Sequence, residues 1–436
     1  MRHGKGVGNK KSGKGKEGDG LAECDLVLRV RRPYFVNNQN NKKMQSFEII
    51  KGQGGVPKDL AGRDHICGML FFLPDDQLNQ VSGSIVRAFA SYEDAFAAYG
   101  AQAGAGFKVA LYHIKELFRI QPAAKVWVKF ASCGESSPYG DSDLDVVKDL
   151  QAASGGECRQ IGVWNGYSQG TIADVKALQK AADAMDKAGT PCSILYAAGG
   201  STTAWANPAG EFKRTDGCSN VSWVIGQDLT VGGKAAELAA ASEAPAISAL
   251  GAALGCVAKA AVNESIAWVS KFNVGYEAVG FCDKKSNAEV GLAAIDNLDK
   301  NGFIFLTTYD GLAGSYWQDS HTMDLATSDY NSIEAERSID KACRGVRTYL
   351  LPYLGSPVYL NSDGTLRADS LAVLKTVASQ ALEQMERAGE LSGFAVDIDP
   401  TQNILANSTL EFVIKNVAVG VMRNIKVKIG YTTSID

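Results

Sequence analysis

Gly166-Tyr-Ser-Gln-Gly170 is the pattern in this chain with the most chemistry to offer. It matches G-x-S-x-G, the strand-turn-helix elbow that exposes a nucleophilic serine. Ser168 would attack, and an acid followed by a histidine would activate it. His321 is the single histidine downstream, and Asp283 or Asp310 could supply the acid. A strand at 161–164 and a helix at 172–188 suit that reading. Against it, Asn165 and Gly166 lengthen the turn, and no HGGG-like segment stands upstream to form an oxyanion hole. The plainer reading is a Gly-rich loop in which Ser168 or Thr171 caps the helix. An α/β-hydrolase-like serine enzyme is therefore the alternative, not the leading, function.

The other chemical patterns are weaker. Asp141, Asp143 and Asp145 begin like a calcium loop, but Val146 stands where Gly is needed and Ala152 where Glu is needed. A solvated turn at a helix N-terminus explains them better. His65 and Cys67 have the spacing of a metal pair, yet no second pair sits nearby, so a buried or interface role is favoured. Gly226 to Lys234 is Gly-rich like a phosphate loop but lacks the spacing and the Ser/Thr after Lys. Asp397 and Asp399 share a strand face by spacing, but Pro400 follows at once and makes them turn formers. No catalytic residue, cofactor site or metal site is assigned.

Positioning any site requires elements, and the chain supplies them by alternation. Strands are expected at 66–73, 124–131, 161–164, 192–198, 221–225 and 302–308. Helices are expected at 77–90, 92–98, 108–118 and 172–188, between 234 and 263, and at 289–301. Strand-helix alternation of this kind argues for a mostly parallel sheet covered on both faces. Gly251-Ala-Ala-Leu-Gly255 spaces two small residues for close helix packing. The apolar run around it, 246–258, is too short to span a membrane.

From 329 onward the character changes. Helices are expected at 332–351, with Ile339, Ala342, Cys343 and Val346 on one face, and at 369–388, with Leu371, Leu374, Ala378, Leu382 and Met385 as its stripe. Strands follow at 393–398 and 408–417. The last segment, Arg423 to Gly430, alternates Ile425, Val427 and Ile429 with Asn424, Lys426 and Lys428. Period-two alternation marks a half-buried strand. A lone terminal strand must pair with some edge, and that edge can belong to another molecule. Lys415, Arg423, Lys426 and Lys428 either meet an acidic partner or form a solvated face.

The chain has 436 residues, enough for two or three domains. Its net charge of −4 excludes a polyanion binder acting through overall charge. Nine dispersed cysteines without a CxxC pair point to reduced thiols in a cytosolic protein. Residues 1 to 43 differ from the rest: the first twenty are Lys- and Gly-rich, which predicts disorder. A possible strand follows at 25–31, then Asn37 to Lys43 directly before Met44. Either Met44 is the native start and this stretch is upstream sequence read in frame, or the stretch is a genuine polar linker. Peptides N-terminal to Met44 in protein from its natural source would rule out the first.

The order of several pieces resembles phage contractile tail sheath proteins and the sheaths of contractile injection systems. They are Ser328-Asp-Tyr-Asn-Ser-Ile-Glu334, then Arg337, Asp340-Lys-Ala342 and Arg344, then Asn361 to Thr365, Met385 to Gly389 and Gln402-Asn403, with the closing strands. Gly54-Gly55 with Asp64-His65, and Ser265-Ile-Ala-Trp268 with Phe272-Asn273, add to the likeness over roughly 45–436. The resemblance implies a mixed α+β, α/β-cored subunit of a helical cylinder around a tail tube. Its terminal arms would cross to neighbours, and its partners would be itself, the tube protein, and baseplate and tail terminator proteins. Neither nucleic acid nor direct membrane insertion is implied. The expected parts are an extension at 1–43, an N-terminal arm at 44–55, a body at 56–325, a C-terminal α+β domain at 326–420 and an arm strand at 421–436. Interface residues would be Phe47, Ile49, Arg423, Ile425, Lys426, Val427, Lys428 and Ile429, with Val419-Gly420 as a tether. A large insertion domain is not evident.

Overall fold

The computed structural model describes residues 63–81, 85–133, 143–240 and 244–432, with backbone only at 143–145. The possible strand at 25–31, the N-terminal arm with Phe47 and Ile49, and Asp141 lie outside these residues.

The sheet begins with β1 (Ile66–Leu73), eight residues that are all buried. An unbroken apolar run suits a strand covered on both faces. Along the chain follow β2 (Arg87–Phe89), β3 (Lys125–Ser132), β4 (Gln160–Gln169), β5 (Ser193–Gly199), β6 (Val221–Val224), β7 (Gly226–Asp228), β8 (Val279–Phe281) and β9 (Phe303–Ile304). Then come β10 (Leu306–Thr307), β11 (Tyr316–Trp317), β12 (Leu391–Asp397) and β13 (Val413–Ala418). Seven strands form one sheet in the order β2-β3-β1-β4-β5-β6-β9. Only β2 pairs antiparallel; the rest of the sheet is parallel.

Successive β1 side chains enter different cores. Met69, Phe71 and Leu73 face the helices Ala105–Ile120 and Leu250–Lys259. Leu70 and Phe72 face the side carrying the helix Ile172–Lys187 and Leu298 of the helix Leu292–Lys300. The Gly251/Gly255 reading holds. A Cβ on Gly251 would run into the His113 backbone, and one on Gly255 would come within 3.2 Å of the Leu117 backbone, so the two helices cross at backbone contact. No helix among the described residues is long and apolar enough to cross a membrane.

The C-terminal part is α+β. The helices Ile333–Leu350 and Ala368–Arg387 pack with the antiparallel pair β12–β13 around Ala342, Ala378, Leu382, Met385 and Val396.

Two expectations are corrected. The helix at 77–90 does not form: a single turn, Asp75–Leu78, is followed by the edge strand β2. Phe89 turns its ring edge-on to Tyr99, 5.6 Å between centroids, and that contact with the β3 pairing outweighs a helical spacing. In the 333–350 helix, Cys343 is exposed and Ile339 and Val346 are only partly buried. The fully buried set is instead rich in charge: Glu334, Glu336, Arg337, Asp340, Lys341 and Arg344.

Candidate assembly surface

β12 and β13 pair from Leu391↔Ala418 to Asp397↔Val413, and no further strand joins them among the described residues. Their inner side chains, Val396, Phe394 and Ile414, close the small core under the 368–387 helix. Val413, Lys415 and Val417 point outward and are exposed. Such a ribbon presents open edges, each a row of backbone donors and acceptors able to take another strand.

Beyond β13 the chain makes no ladder through Tyr431. The strand expected at 423–430 therefore pairs with no strand among the described residues. Its apolar residues lie in the open, with Ile425 72%, Val427 71% and Ile429 91% exposed. Lys426 and Lys428 are exposed as well. A contiguous exposed apolar row is the kind of surface that marks a contact site, since scattered single residues need no explanation.

Arg423 stands apart from this outward set. Its Nε donates to Asp319 Oδ1 and Oδ2 at 2.9 and 3.1 Å. Its Nη2 donates to Ser320 Oγ at 3.4 Å and to Glu334 Oε1. Ser320 Oγ also donates to Glu334 Oε2 at 2.6 Å and lies 2.9 Å from Ser265 Oγ. Burial alone would raise the Asp319 pKa, but His321 and Arg423 outweigh it and hold the carboxyl below its ordinary value. Burial likewise opposes the Arg423 charge, and Glu334 with Asp319 reverses that and raises its pKa. Arg423 thus fastens the base of the terminal segment to the loop after β11 and to the 333–350 helix of the same chain.

The 333–350 helix joins this C-terminal part to the sheet layer through buried charge. Lys341 Nζ donates to Asp64 at 2.8 Å and Glu390 at 2.6 Å. Arg337 donates to the carbonyls of Ala260 and Ala261, and Arg344 to that of Pro191. Glu336 accepts from Asn220 Nδ2 at 2.6 Å, and burial followed by the nearby Asp340 pushes its carboxyl up to about 8. Asp340 rises to about 7 by burial, with Asp186 adding and Arg344 opposing. These are charged residues from the same stretch that carries the family resemblance. Their burial is the structural reason for that run of charges.

The nucleophile pattern dissolves into packing. Ser168 lies within β4 rather than on an elbow. A Cβ on Gly166 would strike the Ala246 carbonyl and the Trp164 ring, and one on Gly170 would strike the Trp223 ring. Both glycines are therefore explained by close approach. The cap is Thr171, whose hydroxyl accepts from Asp174 N while Asp174 accepts from Thr171 N. His321 Nε2 meets Asp299 at 3.1 Å and lies 3.7 Å from Asp319. Asp283, one nominated acid, accepts instead from Thr202 N and Oγ1. The switch point of the sheet, at the carboxyl ends of β1 and β4, is where ligands bind in open α/β sheets. Here Gln77 fills it, bonding Tyr167 OH and Gly106 N.

Among the described residues one group could offer ligands to a metal: Asp299, Asp319 and His321, with their ligand atoms within 4.8 Å of one another. Arg423 already neutralises Asp319, so the cluster is better explained as the arm's anchorage. Cys67 is fully buried with its thiol pushed up to about 12 by burial, which does not suit a ligand paired with His65. The phosphate-loop candidate is split: 226–228 is β7, paired with β8, and Lys234 pairs with Glu237. Asp399 forms a turn, accepting from Thr401 N and Oγ1. An open groove of 460 Å³ runs between Thr202, Thr203, Lys285 and Glu289.

Comparison with known proteins adds the family. The model of the DUF2586 N-terminal domain matches residues 150–321, and that of the DUF2586 C-terminal domain matches residues 329–436. No curated protein matches the chain in sequence. Among solved structures, a chain of the anti-feeding prophage (AFP) baseplate, 6-fold symmetrised, aligns with TM-score 0.58 at 13% identity, covering 88% of this chain and 100% of that one. A chain of the AFP baseplate in the contracted state aligns with TM-score 0.53 at 12% identity, over 88% and 97%. A chain of the sheath complex of the extracellular contractile injection system PVC, in its contracted state, aligns with TM-score 0.49 at 10% identity, over 89% and 99%. The mixed α+β fold expected from the sequence is the fold observed, and the two AFP baseplate chains share it.

Proposed function

We propose that this chain, which belongs to the DUF2586 family, is a structural subunit of a contractile tail sheath. Subunits polymerise as a helical cylinder around a tail tube and are linked by strand exchange. Contraction of the cylinder drives the tube through a target envelope. Its partners are other copies of itself, the tube protein, and baseplate and tail terminator proteins. It assembles in the bacterial cytoplasm and resides in a virion tail or contractile particle.

One observation carries this reading. Ile425, Val427 and Ile429 are exposed in the segment that follows a two-stranded ribbon, which no further strand joins among the described residues. Strand addition would give main-chain hydrogen bonds, and the three apolar side chains would give specificity. Full burial of such side chains is worth about 1.5–3 kcal/mol each, so an arm offers several kcal/mol before the cost of ordering it. Repeated around a cylinder, a modest contact suffices. The fold shared with AFP baseplate chains supports the same setting.

Deleting residues 423–436 tests it. The expected outcome is folded protein, by circular dichroism and thermal melting, that forms no rings or tubes. Polymers from the truncated chain would remove the arm assignment. The hydrolase alternative is checked with a serine-reactive probe, and no labelling of Ser168 in folded protein is expected.

A further inference from the structure

Five residues separate the last β13 residue, Ala418, from Asn424, which precedes the exposed Ile425–Ile429 row, and Arg423 closes that link. Without Arg423 the terminal segment would hang from the ribbon by a link containing Gly420. With it, a guanidinium fork holds the chain on the far side of that link. The fork engages three side chains from two places in the fold: Asp319 and Ser320 after β11, and Glu334 in the first turn of the 333–350 helix. The receiving groups are themselves fixed. Glu334 is 5% exposed and accepts from Ser320, which meets Ser265, while Asp319 has His321 at 3.7 Å. Two carboxylates met by separate nitrogens, Nε and Nη2, suit the planar fork of Arg and not the point charge of Lys.

We propose that Arg423 is the positioning residue of the arm: its clasp on Asp319 and Glu334 fixes where residues 424–431 leave the subunit, so the rigid body sets which neighbour the arm meets. This rests on the arm reading above. The clasp shortens the free segment up to Tyr431 from thirteen residues to eight. Effective concentration falls roughly as the −3/2 power of tether length, so this alone raises the arm's local concentration about twofold. Fixing the exit direction adds to that. A pull on the arm is also taken by Asp319 and Glu334, and not by the Ala418 end of the ribbon.

The test uses the full chain with a nitroxide label at Ile429→Cys in a Cys24→Ser/Cys133→Ser/Cys343→Ser background. Arg423→Gln is compared with Arg423→Lys and with the pair Arg423→Gln/Glu334→Gln, which conserves net charge and leaves no charge on the buried Glu334 position. In dilute, unassembled protein, label mobility should rise in both Gln variants and less in Arg423→Lys, while the melting temperature of the neutral pair stays near wild type. Without the label, the neutral pair should assemble at least about twofold more slowly by light scattering, with irregular tubes in negative stain. Unchanged label mobility overturns the clasp. Raised mobility with unchanged assembly rate and tube geometry overturns the positioning role. Polymerisation of the 423–436 deletion would instead break the underlying arm reading, and label mobility in dilute protein reports on the clasp independently of it.

Discussion

The sheet layer and the C-terminal part place their apolar and charged residues in opposite ways. In the sheet layer, β1 buries all eight of its residues, and Trp223 sits among Tyr196, Trp205, Phe212 and Phe303 with ring centroids 5.1–6.2 Å away. In the C-terminal part, Ile425, Val427 and Ile429 lie outside while Arg337, Asp340, Lys341 and Arg344 lie inside. Exposed apolar rows and buried charges are the two informative departures from ordinary burial. The second region has its inner surface specified by ion pairs and leaves an apolar surface to be covered. The contrast teaches that the sheet layer is held by buried apolar packing, whereas the C-terminal part buries ion pairs and leaves the 425–429 row exposed.

That contrast can be broken by substitution, beginning with the largest effect. Trp223→Ala should cost about 3–5 kcal/mol of stability, as large core truncations do, measured by urea unfolding. Lys341→Ala should cost about as much, near 3–5 kcal/mol, because it strands the Asp64 and Glu390 carboxylates at a buried contact. A near-neutral result there would mean that the charged helix does not secure the C-terminal part. A pH dependence of intermediate size should come from Glu336 and Asp340. Their folded carboxyls sit at about 8 and about 7, above their unfolded values, so the folded state holds extra protons. The stability these two groups contribute should therefore be fully present at roughly pH 4 and be lost as pH rises to about 8. The urea midpoint should be higher at pH 5 than at pH 9, and Glu336→Gln should flatten the difference. Ile429→Ser should be the smallest, within about 0.5 kcal/mol of wild type in stability, yet it should weaken assembly. A large loss of stability from Ile429→Ser would show that the arm packs on its own subunit.

Much of this was legible in the sequence because the period and the environment agreed. Ile66–Leu73 reads as a buried strand, and Ile172–Lys187 as a capped helix, from local signals alone. The small residues Gly251 and Gly255 announced a close crossing. The arm's alternation was equally plain, since a side-chain row needs no partner to be visible. Other features depended on distant contacts. β2 is too short to carry a period, and β7, β8, β10 and β11 are pairs of two or three residues set by tertiary neighbours. The 333–350 helix misled for a physical reason: its apolar residues are few, and its buried face is made of charges whose partners, such as Asp64 and Glu390, lie far away in sequence. Arg423 reads as one more basic residue of the arm until Asp319 and Glu334 are seen beside it. The glycines of Gly166-Tyr-Ser-Gln-Gly170 were visible, but the rings they make room for were not.

Negative-stain microscopy of the full chain beside the 423–436 deletion, at matched concentration and with both shown folded, tests the central claim most directly. The expected result is tubes or rings from the full chain and dispersed subunits from the deletion. Tubes from both, or from neither, would contradict assembly through the terminal arm.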